Sequence, residues 1–416
     1  MSTASHKNVG VLAFTLLVVM LGYGIVLPVM PFYIERLGAG GRELGWLTST
    51  YSLMQLVCAP LWGMLSDRVG RKPVIAVGVL GYAVTLFLFG LATEFWMLFV
   101  ARTLSGMLSS AAMPTSMAYV GDNAPEGERS ARMGQLGAAM GAGIIAGPLL
   151  GGLLSARSLS LPFFVGAGMA GISFLLVLLL LPESRPAPAP NREKVRVTGV
   201  ALRRAIFGPT GLLLLLIFIM SFGLANFQGI IGLYVVDKFC ATTSQVGTLW
   251  MVIGAVLILG QGGLTGPLTK RFGELTVIRV GLAIGALAFA RIALAASFVA
   301  LLLAVAFFVL TLALIGPALN SYVSRLAGNH QGTVMGLSSA AASLGRVVGP
   351  LLAGFLFDRN MQYPFWSGAV TLMLGAILAV SLLRGDRKLQ PPHGAGAQVL
   401  LAGLLVVSLG CSVAVT

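Results

Sequence analysis

The sequence predicts an all-α integral membrane protein made of two related bundles of six spanning helices. Three observations carry that expectation. Hydrophobic residues supply 57% of the 416-residue chain and charged residues only 10%, whereas a soluble domain carries about a quarter charged residues. Charge-poor apolar runs of about 20 residues recur along the whole length, each sufficient to cross a bilayer as a helix. Finally, the charged, glycine-punctuated turn Gly63-Met64-Leu65-Ser66-Asp67-Arg68-Val69-Gly70-Arg71-Lys72-Pro73 returns about 203 residues later as Gly266-Pro267-Leu268-Thr269-Lys270-Arg271-Phe272-Gly273-Glu274. A turn repeated at half-chain spacing marks duplicated halves.

The first six spans are expected at 8–34, 44–65, 73–93, 95–121, 133–155 and 161–181, and the second six at 209–236, 245–268, 275–296, 298–324, 333–356 and 362–383. The runs are continuous rather than alternating and too long for barrel strands, so helices are the reading. No cleavable leader is expected, because the first run is long and continues into a Pro-rich exit. Between the sixth and seventh spans, 182–208 reads as a semi-stiff linker. Its Pro182-Glu183-Ser184-Arg185-Pro186-Ala187-Pro188-Ala189-Pro190 alternates proline with small residues, and basic residues follow. The expected domains are therefore a bundle at 1–181, the linker at 182–208 and a second bundle at 209–383. A basic tail at 384–416 ends in an apolar stretch, 399–415, that is marginal as a span.

The duplication extends past the turn. Glu35 corresponds to Asp237, Gly45 to Gly247, and Gly143–Gly152 to Gly345–Gly354, all at one offset of 202. The net charge of +14 follows topology. With the N-terminus in the cytoplasm, 19 Lys and Arg fall in inside segments and 5 in outside ones, which is the positive-inside bias. The expected partners are thus a lipid bilayer and a small-molecule substrate, with no nucleic acid. Cys58, Cys240 and Cys411 are far apart and form neither a disulfide framework nor a metal spacing. His6, His330 and His393 are scattered, and no nucleophile–base pair or phosphate loop is present. The chain reads as no enzyme, with no metal and no cofactor.

Four motifs resemble the major facilitator superfamily and, within it, the twelve-helix drug:proton antiporters that include tetracycline exporters. The resemblance covers roughly residues 8–383. Gly63–Lys72 matches the superfamily's G-x-L-x-D-R-x-G-R-K loop. Arg102-Thr103-Leu104-Ser105-Gly106 resembles its R-x-x-x-G motif. Gly143–Gly152 matches the antiporter motif G-x-x-x-G-P-x-x-G-G, and Pro28-Val29-Met30-Pro31 the P-x-x-P exit of span 1. The fold implied is two pseudo-symmetric bundles around a central cavity, in a cytoplasmic membrane and as a monomer.

Within the loop the resemblance implies a gating latch built on Gly63, Asp67, Arg68, Gly70, Arg71 and Lys72. Arg71 would tie Asp67 and Asp122 together, and Asp67 would face the start of span 11 near Gln331–Val334. In the echo, Lys270 replaces the aspartate and Glu274 the arginine, so the second loop is expected to lack the same latch. Gly143, Gly147 and Gly151 stack on one helix face, joined by Gly152 and kinked by Pro148, which suits a close contact between halves.

Arg102 and Arg346 lie within spans, where a cation must pair or face water; for Arg102, snorkelling is the alternative. None of the 13 carboxylates sits deep in a span. The nearest proton carriers are Glu35 and Asp237, readable equally as solvated groups, so proton coupling rests on the resemblance. Two intramembrane arginines without embedded acids hint at an anionic or zwitterionic substrate. With spans 1, 4, 7 and 10 lining the cavity, as the resemblance implies, its candidates are Tyr23, Ser105, Ser109, Thr115, Asn226, Gln228, Asn320 and Tyr322. Phe222 and Phe227 would stack on a flat drug, and Gln55 and Gln261 contribute from spans 2 and 8.

The leading expectation is a proton-driven exporter of drug-like amphiphiles. Uptake or facilitated transport of a metabolite or organic anion is the alternative. A non-transporting sensor or scaffold would be expected to lose Asp67, Arg71 and Asp122, all of which are present.

Overall fold

The computed structural model describes residues 2–125, 127–184, 209–327 and 331–382. The linker beyond Ser184, His330, and the tail from 384 with His393, Cys411 and the 399–415 stretch lie outside the described residues.

Every element among them is helical: α1 (Ser2–Arg36), α2 (Gly41–Val69), α3 (Arg71–Leu91), α4 (Phe95–Ser109), α5 (Ala112–Asn123), α6 (Arg129–Ser155) and α7 (Leu161–Leu180) in the first half. The second half has α8 (Pro209–Phe239), α9 (Thr243–Leu259), a π turn (Gly260–Leu264), α10 (Thr265–Phe272), α11 (Glu274–Ala293), α12 (Phe298–Ala327), α13 (Gln331–Phe357) and α14 (Tyr363–Leu382). Among the described residues, ten segments are long and apolar enough to cross a membrane. The remaining two expected spans depart for readable reasons. The 29-residue α2 is diluted by Thr48, Ser49, Thr50, Tyr51, Ser52 and Gln55, polar groups that a lipid-facing helix would not carry. Span 4 breaks into α4 and α5 around Ser110, whose hydroxyl donates to the Met107 carbonyl. Pro114, four residues on, has no N–H to return to Ser110.

Span 8 is also interrupted, by the wide π turn Gly260-Gln261-Gly262-Gly263-Leu264. Three glycines in five residues remove the side chains that would hold a regular α-helix there.

The described residues fall into two compact units. One contains the described residues up to Ser184 together with 232–254, the other those of 209–231 and 255–382. In the first, α7 lies against α1 and α3. A ring cluster of Tyr33, Phe89 and Phe163 fills that junction, with Phe89 stacked on Phe163 at 5.5 Å. In the second, α11 packs on α12 and α14 around Phe227, Phe289, Phe308 and Phe365. With no water to drive side chains together in lipid, such close interlocking of apolar groups supplies the cohesion of each bundle.

Candidate functional site

The turn between α2 and α3 is made by Gly70 at φ +105°, a left-handed conformation that disfavours any Cβ. It folds Arg71 back over the end of α2. The Arg71 guanidinium bonds Asp67 at 2.6 Å, Asp122 at 3.0 Å and the Ser66 hydroxyl at 2.6 Å. Its side chain is only 9% exposed, whereas that of Asp67 is 62% exposed. Arg68 is exposed beside it, and Gly63 has open space where a Cβ would stand, so no close contact demands glycine there.

The start of the linker is fixed onto this turn. Tyr119 donates to the Pro182 carbonyl at 3.2 Å, and the Asn123 amide donates to the Ser184 hydroxyl at 2.6 Å. The Arg71 N–H reaches the Ser184 carbonyl at 3.2 Å. Glu183 accepts from the Lys72 N–H at 3.3 Å, placing its charge at the N-terminus of α3. A Cβ on Gly70 would stand 2.5 Å from that carboxylate.

In the echo, Gly273 has φ +80° and Glu274 opens α11. Glu274 pairs with Arg325 and accepts from Ser321 at 2.7 Å. Glu274 and Arg325 follow Arg71 and Asp122 at the same spacing of 203. The first loop's arrangement is not copied, yet an ion pair between corresponding positions persists with its signs exchanged.

The glycine motif corrects one expectation. A Cβ at Gly143 would lie 2.5 Å from the Leu17 carbonyl oxygen, one at Gly147 would strike that of Leu21, and one at Gly151 would lie 2.8 Å from that of Ile25. These glycines therefore seat α6 against α1 within the same half, not between halves. Of the four glycines Gly152 reaches the second half, where its Cβ would meet the Thr243 carbonyl oxygen at 2.8 Å and the Gly247 Cα at 3.1 Å. Pro148 lies against Gly24 and Gly247. In the second unit, Gly345 and Gly349 of α13 press onto the Phe218 and Phe222 carbonyls in the same manner.

Arg102 is buried at 4% exposure, and its guanidinium lies 4.4 Å from the Tyr51 ring centre. It does not snorkel. Tyr51 is hydrogen-bonded by Gln55 at 2.9 Å and shares a 3.4 Å contact with Ser109; Tyr23 is 5.8 Å away, ring to ring. Ser105 is buried on the same helix as Arg102, and Thr115 is buried on α5. Glu35 and Asp237, at the ends of α1 and α8, lie within electrostatic range of each other.

The second-half candidates are dispersed. Phe227 is fully buried in the four-ring cluster, so it packs the bundle rather than offering a face to a drug. Asn226 is buried and donates to Ser367 at 3.2 Å, while Phe222 stacks on Phe218. Gln228 is half-buried, Asn320 and Gln261 are exposed, and Tyr322 lies 5.8 Å beneath Arg325. Arg346 is exposed and bonds Ser343 at 2.8 Å.

Residues 12–339 and 213–414 both match the Major Facilitator Superfamily. The chain belongs to that superfamily. It is a membrane transporter and not an enzyme. It is 34% identical over 374 residues to Multidrug resistance protein 1 of Bacillus subtilis, covering 89% of this chain and 95% of that one. To Quinolone resistance protein NorA of Staphylococcus aureus it is 28% identical over 387 residues, covering 90% and 96%. Among solved structures, a bacterial homologue of the human lysosomal transporter Spinster aligns with TM-score 0.76 at 15% identity, over 91% of this chain and 97% of that one.

Within this superfamily member, sequence reading missed Ser66, Asn123, Glu183 and Ser184 around the turn, and Tyr51 and Tyr82 near Arg102. For Tyr51 a signal existed: it sits in the polar run Thr48–Gln55 of an otherwise apolar span. Glu183 was hidden by its position at the edge of a Pro-Ala run.

Proposed function

We propose that this transporter exports drug-like amphiphiles by alternating access, driven by inward movement of protons. The observation that carries the reading is the Arg71 network, in which one guanidinium joins Asp67, Asp122 and Ser66 across the turn between α2 and α3. A cluster of charges that is costly to half-break holds one of two states until a ligand or a proton favours the other. Export and a broad drug-like substrate range are supported by the names of the multidrug and quinolone resistance relatives.

Proton coupling is assigned to Glu35 and Asp237. Like charges brought close together favour the uptake of a proton, so neighbouring carboxyls at the ends of α1 and α8 suit a proton carrier. The 19-to-5 bias of basic residues supports an N-terminus and a Gly63–Lys72 turn on the cytoplasmic side of the cell membrane. With each half's glycine stripe satisfied within the chain, the monomer is the transporting unit. Accumulation of a fluorescent cationic dye and of a fluoroquinolone, in cells stripped of their own pumps, tests the whole. Expression should lower both, and a protonophore should restore them; unchanged accumulation would refute export.

A further inference from the structure

Where α1 and α7 begin and end at the same membrane edge, they enclose a groove of about 530 Å³. Lys7 and Asn8 of α1 line its mouth, together with Pro182 just past α7. The apolar spans here run Lys7–Arg36 and Leu161–Leu180, so the mouth sits at the interface with water. Half-buried Phe14 and Leu176 line it farther in. From Lys7 to Phe14 is roughly 10 Å of helix, enough to pass from the headgroup layer into hydrocarbon. Leu178, Leu179 and Leu180 beside the groove are all exposed, as a lipid-facing surface is. Along its length the chemistry is divided. Lys7 is exposed, and among the described residues it has neither an ion pair nor a hydrogen bond. No acidic residue lines the groove, and Glu183, next along the chain, instead accepts from the Lys72 N–H at 3.3 Å. Beyond Lys7 and Asn8 the lining is apolar.

We infer that this groove holds an anionic phospholipid, with its phosphate on Lys7 and an acyl chain between Phe14 and Leu176. The Lys7 ammonium has three N–H donors and the Asn8 amide two, whereas a phosphate diester only accepts. A phosphatidylglycerol headgroup brings a net negative charge to that cation. A phosphatidylcholine headgroup carries its own cation and is neutral overall. With the N-terminus inside, as proposed above, the site faces the leaflet whose surface potential is negative. Occupancy also bears on the turn between α2 and α3. Pro182 lines the groove, and its carbonyl accepts from Tyr119 at 3.2 Å. Glu183 and Ser184 then hold the Lys72 and Arg71 N–H groups. A lipid seated against Pro182 braces that clasp.

The test puts a fluorescent ring in the groove by Phe14→Trp and quenches it with lipids brominated on the acyl chain. The full-length variant is reconstituted in vesicles of phosphatidylglycerol and phosphatidylcholine in equal parts, with one or the other brominated. Quenching of the same protein without the substitution is subtracted. Phosphatidylglycerol should be preferred about fivefold, the fold-change that one lysine near a lipid surface gives. Lys7→Gln, added to Phe14→Trp, should bring the two lipids level. At Gly10, a lining residue, a Cβ would meet nothing within 4 Å. Gly10→Leu should therefore fill the groove without disturbing the packing, shut out both lipids and leave the new ring unquenched. Equal quenching with Lys7 present, or a preference that survives Lys7→Gln, would overturn the site. Should Phe14→Trp fail to fold, melting of the purified protein decides. Phosphatidylglycerol should raise the melting temperature roughly 2 °C further than phosphatidylcholine does, and Lys7→Gln should remove the difference. Equal shifts from the two lipids in the unaltered protein count against the anionic occupant.

Discussion

Arg71 holds three acceptors at once, and their burial separates their weights. The Asp67 limb is mostly exposed and worth under about 1 kcal/mol to the fold, while the arginine is 9% exposed. Losing Arg71 strands Ser66 and Asp122 and costs several times more. Arg71→Ala should therefore lower the melting temperature of the purified protein by several degrees. Asp67→Asn should leave it nearly unchanged yet abolish efflux at normal expression. If Asp67→Asn destabilises as much as Arg71→Ala, its role is structural and the switching reading fails. The exchanged pair in the echo makes a second test. A double-mutant cycle on Glu274 and Arg325 should give a coupling of about 0.5–1 kcal/mol, since Arg325 is 53% exposed. Glu274→Arg alone should weaken the protein, and Arg325→Glu added to it should restore it; no rescue would remove the pairing.

At the scale of elements, the glycines of α6 set how closely it approaches α1. Gly147→Leu would drive a side chain into the Leu21 carbonyl, an overpacking that costs about 1–3 kcal/mol. Less protein should reach the membrane, and what does should melt lower. Gly63→Ala, with open space around it, should do neither. Equal effects would mean that the contact face has been misassigned. The spacing of Gly143, Gly147 and Gly151 made a close helix contact legible in the sequence, because period four marks one face. Its partner was not legible, because every span offers the same apolar surface to a neighbour. Phe227 fails for that reason too: one phenylalanine in an apolar run has no mark of facing inward or outward, and only the ring cluster decided it. Asp67 and Arg71 stood out because charge is expensive in such a chain. Tyr82 did not, since an aromatic side chain is ordinary in a span until its hydroxyl proves unpartnered among the described residues.

For the whole molecule, the proposed proton carriers, Glu35 at the end of α1 and Asp237 at that of α8, give the test of coupling. Glu35→Gln with Asp237→Asn should leave dye binding intact but make efflux insensitive to a protonophore. Substrate-induced proton release equal to that of the unaltered protein would clear both residues of that role. The duplication itself was legible from a single offset, but the exchanged charges of its two loops were not expected to pair, because the echo lost its aspartate. A consequence follows from the way Pro182, Glu183 and Ser184 are bound to Tyr119, Asn123, Arg71 and Lys72. If the gene is severed so that two polypeptides are co-expressed, a cut just beyond Ser184 leaves the first fragment carrying its own clasp. A cut before Pro182 hands that clasp to the wrong fragment, and the reassembled pair should then begin with its turn undone.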